Sequence, residues 1–250
     1  MHPSPPKPSA PPKKSALFWL WGTHSVIAAL ENTQRECHQL LCTRDALKDV
    51  EPFLAKRPKL SPKILPRDEL NRLLPQTVHQ GVALQVSPLP ELFLNTFLAR
   101  SPAAKRLVIL DQITDPQNVG AILRSACAFG FDGVLMTERH SPPLEGVVGK
   151  SASGALEKIP LLMTANVAQG LRLLKTEGFW CWGLSEEGTL PLSQLPCEGS
   201  LALVLGAEGK GLRPLTAQLC DGLVRLPTSP DFPTLNVAAA AAVAFYQVVL

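Results

Sequence analysis

Apolar residues come in short blocks separated by turn residues, and the period within the blocks changes along the chain. Leu17–Gly22 predicts a short strand, followed by a helix over His24–Glu31 with Thr23 as its cap. Cys37–Thr43 predicts a second strand. Arg44–Lys56 predicts a helix with Asp45 and Asp49 near its start, where the helix dipole favours acids. A short strand at Ile64–Leu65, a helix over Arg67–Leu74 and a closing strand at Val82–Val86 complete a compact α/β unit over 17–87. Residues 88–104, with Pro88, Pro90 and Pro102, are expected to be a linker.

From Arg106 the blocks alternate between strand and helix. Strands are expected at Arg106–Asp111, Gly133–Thr137, Phe179–Leu184, Leu201–Leu205 and Leu223–Leu226. Helices are expected at Val119–Phe129, Val167–Glu177, Arg213–Leu219 and Leu235–Val249. Leu201–Leu205 is a continuous apolar run of the parallel-sheet type. The alternation argues a doubly wound α/β domain over 105–250.

Residues 1–16 hold six prolines, three lysines and no bulky apolar side chain. Such a segment cannot offset its ordering entropy and is expected to be a disordered tail. It lacks the apolar stretch of a signal peptide, and the chain has no run long enough to span a bilayer, so a cytoplasmic protein is expected. None of the six cysteines forms a C-x2-C pair and no two histidines have H-x3-H spacing, so no metal is expected and the thiols should be reduced. The net charge of +3 is uneven. Residues 1–105 carry 14 Lys and Arg against 8 Asp and Glu, whereas 106–250 carry 10 against 13. A basic front half fits a polyanionic partner such as RNA, although small basic domains are also common without one.

Three loops after strands carry the candidate chemistry. The first lies within Asp111-Gln-Ile-Thr-Asp-Pro-Gln-Asn-Val-Gly-Ala-Ile-Leu-Arg-Ser, which holds Asn118 and Arg124. The second is Leu203-Val-Leu-Gly-Ala-Glu-Gly-Lys-Gly, where Gly206, Gly209 and Gly211 surround Glu208. Glycines there let backbone approach a ligand closely. The third, Leu226-Pro-Thr-Ser-Pro-Asp-Phe-Pro-Thr-Leu-Asn-Val, is stiffened by Pro227, Pro230 and Pro233 and ends on Thr234 and Asn236. Strand ends in an α/β sheet converge on one edge, so one composite site is expected. Singly, Asn118, Thr234 and Asn236 could be helix caps and Arg124 a surface charge. Two nucleotide fingerprints are excluded. Gly146-Val-Val-Gly-Lys-Ser151 has Leu144 where a P-loop needs glycine, and no G-x-G-x-x-G follows the strand Arg106–Asp111.

Together the three motifs resemble those of the SpoU (TrmH-type) branch of the SPOUT methyltransferases, from about Phe18 to the end of the chain. The resemblance implies transfer of a methyl group from S-adenosylmethionine to a ribose 2′-hydroxyl of RNA. It implies a C-terminal α/β domain with a deep trefoil knot, a small N-terminal L30e-like RNA-binding domain, and a homodimer with its site near the subunit interface. By position it implies Gly206, Leu226 and Leu235 against the cofactor. Asn118, Arg124, Glu208, Thr234 and Asn236 would lie around the reacting ribose. Trp21-Gly-Thr-His-Ser-Val-Ile-Ala-Ala-Leu30 and Val78-His-Gln-Gly-Val82 resemble a subgroup that methylates a guanosine of 23S rRNA. The chain departs from the family at Thr234 and Ala238, where serine is usual, and at Pro230, where glycine is usual. A tRNA ribose methyltransferase of the same fold, or a catalytically inactive RNA-binding or assembly protein, are the alternative readings.

Overall fold

The computed structural model describes residues 17–99, 105–139, 141–229, 231–232 and 234–250. The expected tail 1–16 lies outside the described residues, as do Pro230 and Pro233. Two sheets organise the chain. The first holds β1 (Phe18–Trp21), β2 (Cys37–Cys42), β3 (Pro62–Ile64) and β4 (Val82–Val86) in the order β1-β4-β2-β3. Strand β4 runs antiparallel to both β1 and β2, and β3 joins β2 in parallel. Its central place explains why Val82, Ala83, Leu84 and Val86 are all buried. Helices α1 (Thr23–Glu31), α2 (Arg44–Leu54) and α3 (Arg67–Leu73) make the connections.

Caps in this unit differ from expectation in one place. Thr43 caps α2, its hydroxyl accepting from the Ala46 N–H. Thr23, however, is the first residue of α1 and not its cap; Gly22, at φ 88°, precedes it without a side-chain bond. The Gln80 side chain takes that task from 57 residues away, its carbonyl accepting from the Thr23 N–H at 3.3 Å. A long-range acceptor satisfies the exposed helix start as well as a local hydroxyl does.

The segment expected as a linker is partly built into the fold. It carries β5 (Leu92–Phe93) and α4 (Leu94–Leu98), because Leu94 finds a buried place against the second sheet. That sheet also holds β6 (Arg106–Asp111), β7 (Gly133–Thr137), β8 (Leu161–Thr164), β9 (Trp180–Leu184), β10 (Leu190–Pro191), β11 (Leu201–Gly206) and β12 (Gly222–Arg225). The order is β10-β12-β9-β11-β6-β7-β8-β5, and every pair is parallel. Helices α5 (Pro116–Ala128), α6 (Gly146–Ala152), α7 (Val167–Thr176), α8 (Pro214–Leu219) and α9 (Val237–Val249) follow the strands. Strands β8 and β10 and helix α6 are absent from the sequence reading. The strands have only four and two residues, and α6 contains two glycines, which are poor helix formers.

Both faces of the second sheet are covered, as a parallel sheet requires. Leu107 and Ile109 of β6 pack with Val167, Leu171 and Leu174 of α7 on one face. Val108 and Leu110, pointing the other way, join Ile122 and Leu123 of α5 and Phe245 of α9. The second cluster does not stop at the sheet. It runs through Val148 and Ala152 of α6 to Val26 of α1 and to Leu20, Leu40 and Leu84 of the front sheet, so the two halves share this cluster.

Candidate active site

Register decides where the site forms. Gly206 at the end of β11 lies opposite Asp111 at the end of β6, and Leu205 lies opposite Leu184 at the end of β9. Val224 of β12 pairs with Leu184. Four carboxyl ends therefore finish level with one another. The chain runs from β6 to β7 on one side and returns as β11 on the other, so the strand order reverses at β6, where ligands bind in open α/β sheets.

A cleft of about 740 Å³ opens at the ends of β9, β11 and β12, immediately beside that reversal. Leu184, Leu205, Leu226 and Leu235 give it apolar walls, and the loop 206–212 forms one side. That loop is a tight hairpin: Ala207 N–H donates to Gly211 O at 3.1 Å and Gly211 N–H to Ala207 O at 2.8 Å. Gly206 is required at its base, because a Cβ there would overlap the Gly211 carbonyl and the Leu212 nitrogen. Gly209 and Gly211 adopt φ of 74° and 63°, which glycine alone takes readily, and face open space. Apolar walls with backbone polar groups at the rim suit a ligand with a flat heterocycle and a polar tail.

A chain of three side chains crosses the mouth of this cleft. Asn236 precedes α9, and its Oδ1 accepts from the Ala238 and Ala239 N–H groups at 2.9 and 3.3 Å. Its Nδ2 must then face outward, and it donates to Asn118 Oδ1 at 2.9 Å. That leaves Asn118 Nδ2, which donates to Glu208 Oε2 at 3.2 Å. The polarity is thus set from the helix end to the carboxylate, which is the terminal acceptor. Asn118 is 7% exposed, whereas Glu208 is exposed at the cleft and keeps Oε1 without a partner among the described residues. Capping and site geometry are not alternatives for Asn236, which does both. Asn118 is not a cap: α5 starts at Pro116, and Asp115 caps it by accepting from Gln117 N–H at 2.8 Å.

Gly206, Leu226, Leu235, Glu208, Thr234 and Asn236 all line the cleft, and Asn118 bonds to its rim. Arg124 does not join them. It is exposed on α5 and lines a separate groove of about 290 Å³ beside α1 and α6. Two residues that sequence reasoning missed brace the cleft. Asp111 is 1% exposed; its carboxylate accepts from Arg213 Nε at 2.7 Å and from Arg213 N–H at 3.2 Å. This pair pins the far end of the glycine loop to β6. The signal was an acid closing a buried strand and an arginine just past the glycines. Gly120 of the first motif is a packing residue, because a Cβ there would press on Ser151 and Val148 of α6. All six cysteines are free thiols, and burial pushes Cys181 and Cys220 up to about 12, so neither supplies a thiolate.

This fold and cleft define a class. The sequence model described as the SpoU rRNA methylase family matches residues 105–246, and that for RNA 2′-O ribose methyltransferase substrate binding matches 19–92. The chain belongs to the SpoU rRNA methylase family and is an S-adenosylmethionine-dependent RNA 2′-O-ribose methyltransferase.

Among individual proteins, it is similar to the 23S rRNA (guanosine-2′-O-)-methyltransferase RlmB of Pseudomonas aeruginosa. The two are 37% identical over 235 residues, 92% of this chain and 94% of the relative. A Synechocystis protein described as an uncharacterized tRNA/rRNA methyltransferase is 34% identical over 96% of this chain, which spans 66% of that longer protein. In structure, the chain has the fold of the SpoU methyltransferase AviRb from Streptomyces viridochromogenes, solved in complex with AdoMet. The TM-score is 0.79 at 23% identity, over 93% of this chain and 89% of that one.

Proposed function

We propose that this chain methylates the 2′-hydroxyl of a guanosine ribose in 23S rRNA and works as a homodimer. The observation that carries the reading is the Asn236–Asn118–Glu208 chain across the cleft mouth, which presents one carboxylate oxygen toward any hydroxyl entering the site. When bound, S-adenosylmethionine supplies an electrophilic methyl group and its own leaving group. What remains for the protein is to orient the ribose and accept its proton. Gly206, Leu226 and Leu235, which line the cleft, would hold the cofactor. Glu208 takes or polarises the 2′-hydroxyl proton, and the two asparagines hold its carboxylate in place. Thr234 keeps the hydroxyl of the usual serine at the rim.

Arg124 binds the phosphate and ribose and does not act as the base, because a guanidinium stays protonated and has no acceptor. Its absence from the cleft of its own chain supports a dimer in which one protomer offers Arg124 to the other. Helix α9 supports the same arrangement. Ala239, Val243, Tyr246 and Leu250 form an exposed stripe at i, i+4, i+7 and i+11, with Val243 50% and Tyr246 54% exposed. Such a stripe suits a self-complementary interface. The finer fold assignments belong to the same reading: a trefoil knot made by the last two motif loops, and an L30e-like front domain over 17–87 joined through 88–104 to the methyltransferase domain over 105–250. The free thiols fit the cytoplasm.

The test is methyl transfer by the purified protein to 23S rRNA and to bulk tRNA, with the modified positions mapped. One methylated guanosine in 23S rRNA is expected. Arg124→Ala and Arg124→Lys should each lose most turnover with cofactor affinity near normal, because the planar fork is what positions phosphate. Methylation confined to tRNA overturns the substrate, and a near wild-type rate for Arg124→Lys removes the arginine from the site.

A further inference from the structure

The two front motifs meet on one element of the other half. Trp21 lies against Gly146, where a Cβ would overlap its ring. Leu20 packs on Gly149, and Ser25 Oγ donates to Gly149 O at 2.8 Å. Gln80 Oε1 accepts from Lys150 Nζ at 2.5 Å. The 3-10 turn after α6 (Ala155–Glu157) closes the seat. Ala28 packs on Gly154, Asn32 Nδ2 donates to Glu157 Oε2 at 2.8 Å, and Arg35 binds Glu157 at 2.6 Å with both side chains 1–2% exposed. The segment rejected as a P-loop is therefore a glycine-lined seat for the front unit.

Seating the front unit creates the groove of about 290 Å³ that holds Arg124. Helix α1 gives one wall with His24 and Ile27, α5 gives the other with Arg124 and Cys127, and Ser153 and Lys158 line the floor. His24, Arg124 and Lys158 are exposed, and none of their side chains has a hydrogen-bond or ion-pair partner among the described residues. The acid on the groove, Glu31, is paired with Lys56 at 3.3 Å. One wall is fixed to α6 by Ser25 and to the turn after it by Ala28, and the other is fixed to α6 by the close approach at Gly120. The groove is thus rigid and cationic, and it lies between the matched substrate-binding segment and α5, whose first turn reaches the cleft through Asn118.

We infer that this junction groove is a phosphate subsite for the RNA strand, with Lys158 and His24 as binding residues beside Arg124. The inference rests on the RNA methyltransferase reading above. It makes RNA binding a property of the seam between the two halves, where Lys158 belongs to the acidic half of the chain and His24 to the basic half. Net charge alone would not select either residue.

The test measures binding of the full chain to 23S rRNA fragments across a salt series, without methyl transfer. Each lost phosphate contact should make the negative slope of log K against log salt shallower by about 0.7 for a single strand. Lys158→Gln should weaken binding about fivefold at moderate salt, with the slope reduced by about that amount, and Lys158→Arg should restore both. His24→Ala with Lys158→Gln should weaken binding further. Cofactor affinity and Tm should not move, since both side chains are exposed and line no part of the cleft of their own chain. A double variant within twofold of wild type, with an unchanged slope, overturns the inference, as does a wild-type protein that binds no RNA in a salt-sensitive way. Failure of methyl transfer alone, with the salt response as expected, counts against the functional reading and leaves the groove standing.

Discussion

The cleft and the junction are both assembled from distant segments, but by different means. The cleft is a matter of backbone: level strand ends, a glycine hairpin and a helix start, with three polar side chains laid across the top. The junction is a matter of side chains: an indole on a glycine, a lysine on a glutamine, and the Arg35–Glu157 pair sealed from water. A backbone site tolerates change in its wall side chains but not in its glycines. A side-chain seam is the reverse: its energy sits in a few buried polar groups, and the loss of one partner leaves the other charge buried and unpaired.

The largest effect should therefore come from the seam. Glu157→Ala leaves Arg35, 2% exposed, with only Ser87 O as acceptor among the described residues. Removing one partner of a buried pair costs about 3–5 kcal/mol. Thermal or urea unfolding should show that loss, while residual folded protein still binds S-adenosylmethionine. A change below about 1 kcal/mol would mean that the pair is reached by water in solution and that the seam is looser than the contacts indicate.

Gly206→Ala probes the other side of the comparison and should cost less in stability. Its Cβ would overlap backbone atoms of Gly211 and Leu212, which cannot rotate away. Overpacking of this kind costs about 1–3 kcal/mol. The strain falls on the loop that lines the cleft, so calorimetry should find cofactor binding lost or weakened by about tenfold or more, at a cost of about 1.4 kcal/mol per tenfold. Wild-type affinity in this variant would show that the hairpin is not part of the cofactor site.

The cleft was also the more legible of the two in the sequence. Strand β11 is a continuous apolar run, and glycines crowding its end announce close backbone approach before any fold is known. The same local rules were silent on the seam. Arg35 and Glu157 are 122 residues apart and neither sits in a periodic pattern. Helix α6 was hidden by the very glycines that let the front unit approach it. The side chain in the first motif that escaped the cleft was accessible to arithmetic. Asn118 and Arg124 are six residues apart on α5, about 600° of turn, so they face directions about 120° apart. One helix therefore borders two concavities, with Asn118 at the cleft and Arg124 in the groove.

The smallest expected effect concerns pH, and it separates the front unit from the cleft once more. His79 is 3% exposed, between α3 and β4. Its Nδ1 accepts from the Gly81 N–H at 3.0 Å, so Nε2 carries the proton and donates to Asn71 Oδ1 at 2.7 Å. Both nitrogens of the neutral ring are satisfied, and a second proton would remove the acceptor that Gly81 uses. Burial, with a smaller contribution from the Arg67 charge, holds the imidazole below its usual 6.5. The unfolded chain then takes up this proton at higher pH than the folded one. The stability from the neutral ring is complete above pH 6.5 and is lost as pH falls through the lower folded value. Wild-type protein should unfold at lower temperature at pH 5 than at pH 7.5. His79→Gln should start less stable at pH 7.5 and show a flatter decline, because the titrating group is gone. Cofactor binding per folded molecule should not follow this decline, since His79 does not line the cleft. If His79→Gln falls off with pH as steeply as wild type, the acid sensitivity lies elsewhere and the buried ring is only a packing element of the turn.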